Sequence, residues 1–320
     1  MTSIRSSLPL WQRAVRLPAM TPAPKQTHAL NVAASFAAMA MIIMAAATPP
    51  DDRAASRTAA PAGAATKSTA ANPDRERDFG AYLGSPYNYP SDFHLRKDGV
   101  HDLTVKDVNW FTNPFQHPLY YGVRYQSWYT GGRFGTMIDF THSKAYAPLD
   151  QDTKLEGTLD GKPAPANAKI GDVFKRLEFS HGHNMLTFNG LMRFMSFGVL
   201  SPYAGIGAGI SLPHAEMHLA SDPSRTYEYQ YTGPAVQALF GLELRLPTGS
   251  VFVEYKFTLA DYTAPITHRD GSLLGTDLYN QFTRWWSGEP PPGGFGSVRL
   301  TSHQVIGGFL VRFVPSAKVR

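Results

Sequence analysis

Tyr121-Gly122-Val123-Arg124-Tyr125-Gln126-Ser127-Trp128-Tyr129-Thr130-Gly131-Gly132-Arg133-Phe134-Gly135-Thr136-Met137-Ile138-Asp139-Phe140-Thr141 is the stretch that decides the fold. Tyr121, Val123 and Tyr125 alternate with Gly122, Arg124 and Gln126. Beyond Gly131-Gly132, Phe134, Ile138 and Phe140 alternate with Gly135, Met137, Asp139 and Thr141. A period of two is the signature of a strand with unlike faces. Two glycines between such runs predict a two-residue hairpin turn, because both central positions of the favoured turn need positive φ. Counting back from that turn sets Arg124 across from Asp139 on one face, where opposite charges neutralise each other.

The same texture recurs along 176–194, 203–219, 227–246, 251–259 and 300–313, and begins in 79–95, which makes eight strands. In 203–219, for example, Ile206, Ala208, Ile210 and Leu212 stand against Gly205, Gly207, Gly209 and Ser211. One face is uniformly apolar, while the other holds Gly, Asn, Gln and mixed charge. A water-soluble barrel shows the reverse, so the pattern predicts an eight-stranded antiparallel transmembrane β-barrel. Connections at 131–132, 195–200 and 247–249 are short, whereas 147–172 and 264–298 are long, as expected for periplasmic turns and extracellular loops. Glu243, Arg245, Glu254 and Lys256 face inward and are expected to meet across the 247–249 turn as paired lumen charges.

Composition fits this picture. Of the 320 residues, 12% are aromatic, too many for a disordered chain. Cysteine is absent, which excludes disulfides and thiolate-ligated zinc. A mean hydropathy of −0.24 argues against a bundle of membrane helices. Arg5, Arg13, Arg16 and Lys25 lie in an acid-free leader, and the remainder carries 26 basic against 25 acidic residues. The basic balance therefore gives no reason to expect nucleic acid as a partner.

Residues 1–47 read as a signal peptide: a basic stretch, an apolar run from Leu30 to Ala47, and a closing Ala45-Ala46-Ala47. The competing reading, a membrane anchor, is marginal in length and lacks a basic stop-transfer cluster. Residues 48–78, rich in Ala and Pro, read as a disordered spacer, and 79–320 as the barrel domain.

Several motifs are weighed on their chemistry. Gly205-Ile206-Gly207-Ala208-Gly209 lacks the spacing and the following helix of a dinucleotide loop, and instead clears one face of a strand. His181-Gly182-His183 reads either as a chelating pair on one strand face or as rim hydrogen bonding beside a bulge at Gly182. His214-Ala215-Glu216-Met217-His218 places two histidines and a carboxylate on one face, a donor set known for non-haem iron; a solvated rim is the alternative. Carrying the outward parity toward the long-loop end puts His142, Lys144, Glu178, His214, Glu216, Glu228 and Gln230 on the outer wall. Charge facing lipid is costly except near the interface, so headgroup contact or chemistry would justify them. Leu274, Leu278, Phe282 and Trp285 predict a short amphipathic helix in the last extracellular loop, lying in the interface or folded over the mouth.

Taken in order, Tyr121-Gly122-Val123-Arg124, Asp139-Phe140-Thr141-His142-Ser143-Lys144, Leu177-Glu178-Phe179, Asn184-Met185-Leu186-Thr187-Phe188-Asn189, Pro202-Tyr203-Ala204-Gly205, Pro213-His214-Ala215-Glu216, Tyr227-Glu228-Tyr229-Gln230-Tyr231-Thr232-Gly233-Pro234-Ala235 and Glu254-Tyr255-Lys256 resemble the outer-membrane lipid A oxidases of Gram-negative bacteria. The 264–298 loop and His181-Gly182-His183 depart from that family's pattern. The resemblance implies an outer-membrane enzyme that uses O2 to oxidise the proximal glucosamine of lipid A, within lipopolysaccharide, to 2-aminogluconate. Such a site must face the outer leaflet. His214 is then expected as base or metal ligand and Glu216 as its carboxylate partner, with Glu178 or His142 completing the set and Glu228 alongside. A divalent metal held by His214, Glu216 and His142 is expected, because O2 reacts poorly with a closed-shell sugar unaided. The competing expectation is a non-catalytic eight-stranded barrel, structural or adhesive. A small pore is disfavoured, since eight strands leave a lumen that side chains fill.

Overall fold

The computed structural model describes residues 75–129 and 131–313; the expected signal peptide and nearly all of the expected spacer lie outside them. Eight strands form a closed antiparallel ring: β1 (Glu76–Asn88), β2 (Tyr121–Trp128), β3 (Phe134–Tyr146), β4 (Phe174–Arg193), β5 (Leu200–Ser211), β6 (Gly233–Leu246), β7 (Gly249–Pro265) and β8 (Phe295–Phe313). Each pairs with its neighbour in sequence, and β8 closes the ring on β1 from Arg77↔Phe313 to Asn88↔Ser302. Gly131 and Gly132 have φ of 88° and 67°, as the predicted hairpin turn between β2 and β3 requires.

The faces divide as the alternation predicts. Phe188, Ile206 and Phe240 are 60%, 73% and 56% exposed on the outside, while Arg124, Asp139, Glu254 and Lys256 are buried within. An apolar outer band around a closed, polar interior makes this an outer-membrane-type transmembrane barrel. On β4 the lipid-facing stretch runs over 184–193, about the ten residues needed to cross a bilayer.

The lumen is packed. Arg124 lies opposite Asp139 in register, and its guanidinium donates two 2.8 Å bonds to Glu254. Lys256 donates to Asp139 and to the Tyr82 hydroxyl, and the Tyr203 hydroxyl donates to Glu254. The expected pairing of Glu243, Arg245, Glu254 and Lys256 across their own hairpin is corrected. Register puts Phe252 beside Glu243 and Gly241 beside Glu254, so these side chains reach across the lumen instead. Glu243 accepts from Arg193, and Arg245 donates to Glu76.

Two boundaries also change. Residues 76–78, assigned to the spacer by composition, begin β1, because Glu76 and Asp78 meet Arg193, Arg245 and Arg312 at the periplasmic end of the lumen. The single segment expected over 79–95 is two strands, since the chain leaves the barrel after Asn88 and turns into a hairpin of Ser91–Lys97 and His101–Val108. That hairpin pairs with the top of β8, and Asp152–Leu159 pairs with it in turn. Its inward side chains Phe93, Leu95, Leu103 and Val105 join Trp110, Phe174, Phe179 and Tyr262 in an apolar core at the extracellular end. The remaining long connections contribute strands His214–Leu219 and Thr226–Tyr229, and the last carries helix α1 (Leu274–Ser287), ended by Gly288 at φ 71°.

Candidate active site on the outer wall

The site is built where β4 rises above the lipid-facing band and His214–Leu219 pairs with it, Glu216 opposite Glu178. Leu177, Phe179, Ala215 and Met217 belong to the inner core, so the alternate residues Arg176, Glu178, His214 and Glu216 lie on the outer face. Pro213 interrupts the strand from β5 without changing parity, and His214 keeps the side of Ile206 and Ile210.

Gly182 decides the fate of its two histidines. Ser143 pairs with His183 and Ala145 with Phe179, so three residues of β4 bulge against one of β3. Gly182 sits at φ 140°, and a Cβ there would meet the Asn184 side chain at 2.2 Å. The bulge sends His183 inward to the Tyr262 hydroxyl and leaves His181 outside, so the two cannot chelate together.

Glu216 is the hub. One carboxylate oxygen accepts from Arg176 at 2.8 Å; the other meets His181 Nδ1 at 2.7 Å and the Ser180 hydroxyl. His214 Nδ1 stands 3.5 Å from that second oxygen. Its Nε2 faces the Gly271 carbonyl at 3.3 Å and donates to it, while the buried Nδ1, turned toward Glu216, has no partner at hydrogen-bond geometry. The His214 ring is held edge-on between Tyr227 and Tyr229, at 4.3 and 4.6 Å. Ser180, His181 and Glu216 do not make a serine-type relay: Ser180 and Glu216 both meet the same ring nitrogen.

Burial works to raise the Glu216 carboxyl, but the contacts from His214, Ser180, His181 and Arg176 outweigh it and hold the group well below the usual carboxylate range. Across the strand pair, burial and then the Glu216 charge push Glu178 up to about 7, against the pull of Arg176. Two facing carboxyls thus have unlike proton affinities, the arrangement that proton-transfer sites use.

His181, His214 and Glu216 bring one ligand atom each within 4.8 Å of one another. The histidine expected in this set, His142, stands apart: its ring stacks on Tyr121 at 4.8 Å and its Nδ1 bonds Asn184 at 2.8 Å. His218 bonds the Asp222 carbonyl. Glu228 is a correction. It pairs opposite Ala215 and is buried on the inner face, where Thr267 and Gln230 donate to it. The strand breaks over 230–232 and re-enters at Gly233, φ 150°, so the parity of β6 does not extend back to Glu228 and Gln230. Tyr227 and Tyr229 occupy the outer face instead. The Tyr-x-Tyr alternation was the available signal; the roles of Ser180 and Arg176 had none.

No family model matches this sequence, and no curated protein matches it. Among solved structures, the outer membrane protein OprG from Pseudomonas aeruginosa matches at 13% identity and a TM-score of 0.36, over 75% of this chain and 94% of that one. The outer membrane protease OmpT from Escherichia coli matches at 9% and 0.34, over 74% and 97%. The outer membrane protein AlkL, solved in lipid bilayers, matches at 12% and 0.32, over 83% and 100%. The chain's own closed ring and apolar outer band make it an outer-membrane barrel protein.

Proposed function

We propose that this barrel is a lipid A-modifying enzyme that oxidises the proximal glucosamine of lipid A to 2-aminogluconate with O2. The observation that carries the reading is a His181–His214–Glu216 cluster on the outer wall, with His214 and Glu216 buried and His181 exposed, above the lipid-facing band, where a glycolipid headgroup of the outer leaflet would lie. A structural barrel gains nothing from burying these groups there.

The donor set suits a divalent metal: two imidazoles and one carboxylate, with His214 Nδ1 unpartnered and directed at the same oxygen that His181 meets. His181, His214 and Glu216 would hold the ion, which would supply the electron path to O2 that side chains lack. The overall step balances as a free C1 hemiacetal losing its hydroxyl proton and its C1 hydrogen with two electrons. O2 becomes hydrogen peroxide, and water opens the resulting lactone to the acid. Glu178 is the acceptor for the hydroxyl proton, since a carboxyl titrating near neutrality can both take and release it. Arg176, half exposed between Glu178 and Glu216, keeps the two carboxyls from repelling each other apart and offers a donor to the sugar. Ser180 and the Tyr227 hydroxyl, 3.3 Å from His181, orient the His181 ring.

Mass spectrometry of lipid A from aerated cells with and without the protein tests this. A gain of oxygen on the proximal sugar, lost in His214→Ala and Glu216→Gln barrels that still reach the outer membrane, is expected. An unchanged lipid A profile would instead favour the non-catalytic barrel.

A further inference from the structure

Helix α1 is docked the wrong way round for a helix in water. Asp277 is buried, and with Gln281 and Arg284 it forms the arc turned to the barrel. Asp277 accepts from the Tyr229 amide at 3.1 Å. The Gln281 side chain accepts from the Tyr231 amide at 2.8 Å and donates to the Tyr231 carbonyl at 2.7 Å. The rest of the helix surface carries Tyr279, Phe282, Trp285 and Trp286, which are 68%, 55%, 72% and 77% exposed. Phe282 packs its ring 6.0 Å from both indoles, so these residues form one aromatic patch. A surface helix ordinarily buries its apolar stripe and shows its polar face to water; here the polar groups are spent on holding the helix in place.

We infer that α1 is an interfacial helix whose aromatic face is occupied by the outer leaflet at its headgroup–acyl boundary, so that the last extracellular loop is anchored in lipid beside the site. Three observations on this molecule choose lipid as the occupant. The helix hangs from Tyr229 and Tyr231, and Tyr231, 48% exposed, lies two residues before the start of β6 with its lipid-facing Val236 and Phe240, so the patch adjoins the outer band. Both charged side chains of the helix, Asp277 and Arg284, turn away from the patch. Two adjacent tryptophans and a tyrosine are the residues favoured at a membrane–water boundary. The loop that carries the helix also closes over the candidate site: the Gly271 carbonyl accepts from His214, and the Gly271 amide donates to Tyr227. Anchoring α1 therefore fixes the roof of the site at headgroup depth. The inference stands on the barrel and the helix, whatever chemistry the site performs.

The test reconstitutes the full chain in phosphatidylcholine vesicles whose acyl chains are brominated either just below the headgroup or near the methyl end. Trp110 and Trp128 are buried, and the difference in emission between wild type and W285F/W286F isolates the two helix indoles. Quenching of that difference signal by the shallow bromines, with little effect of aqueous acrylamide, is the expected result. Quenching by acrylamide with none by either brominated lipid would overturn the inference. So would protection from both quenchers accompanied by cross-linking of two copies through the helix, which would make a second copy the occupant. Heat-modifiable migration of both proteins on cold gels confirms that folded barrels are being compared.

Discussion

Removing Arg124 should test the charge network that fills the barrel. Arg124, Asp139, Glu254 and Lys256, four buried charges in mutual contact, sum to zero. Arg124→Met keeps the packing against the Tyr82 and Phe252 rings, over which the guanidinium carbon sits at 4.8 and 4.6 Å, but leaves this group of charges at −1. Asp139 retains Lys256, so the loss falls on Glu254, which forfeits two 2.8 Å bonds and keeps only the Tyr203 hydroxyl at 2.7 Å. Breaking a buried ion pair by removing one partner costs about 3–5 kcal/mol, and that is the expected destabilisation. Adding Glu254→Gln restores neutrality and should recover about 1–3 kcal/mol of it. Urea titration of barrels folded in lipid vesicles, followed by tryptophan emission, reads both numbers. If the double variant is no more stable than Arg124→Met alone, the coupling between these two residues is absent and the reasoning fails.

Three further outcomes concern the site. His181→Ala and His214→Ala should each weaken binding of a divalent ion such as cobalt by at least about tenfold, while His142→Ala leaves it unchanged, as measured by titrating the visible absorbance of cobalt. Gly182→Ala should lose that binding as well, since φ of 140° and the Asn184 side chain leave no room for a Cβ and the strand must shift His181; intact metal binding would show that the bulge is dispensable. Glu178 has its carboxyl pushed up to about 7, so its contribution to stability is fullest below its unfolded value near 4.5 and is lost as pH rises through 7. Unfolding midpoints between about pH 5 and about pH 8 should therefore fall more steeply for wild type than for Glu178→Gln, and parallel curves would contradict the assignment.

How much of this was legible follows from which interactions are local. Period-two alternation reports a side chain's face directly, so the outward Phe188 and Ile206, the inward Arg124 and Asp139 and the Gly131-Gly132 turn could all be read from the chain. Helix α1 was equally plain from Leu274, Phe282 and Trp285, and Gly288 ends it as expected. Which inward charges pair was not, because Glu254 meets Arg124 across the lumen, 130 residues away in the chain, rather than through the hairpin. Parity also fails silently wherever a strand is interrupted. Pro213 interrupts the run from β5 without changing its parity, whereas the break before Gly233 turns Glu228 inward. The bulge at Gly182 had a sequence signal, a glycine between two histidines, but only the pairing of β4 with β3 reveals that it separates them.

The arrangement of β8 bears on when the molecule becomes complete. This strand pairs with β7 over seventeen positions from Gly249 to Pro265, closes the ring against β1, and offers Phe295–Val298 as the platform for the Ser91–Lys97 hairpin. The hairpin's strands are made early in synthesis and can pair with Asp152–Leu159, yet they have no edge of the barrel to join until the last strand arrives. Closure of the ring and seating of the extracellular cap are consequently one event, and a chain cut short before β8 loses both together. An antibody raised against the seated hairpin would thus recognise only finished barrels, and would time their completion at the cell surface.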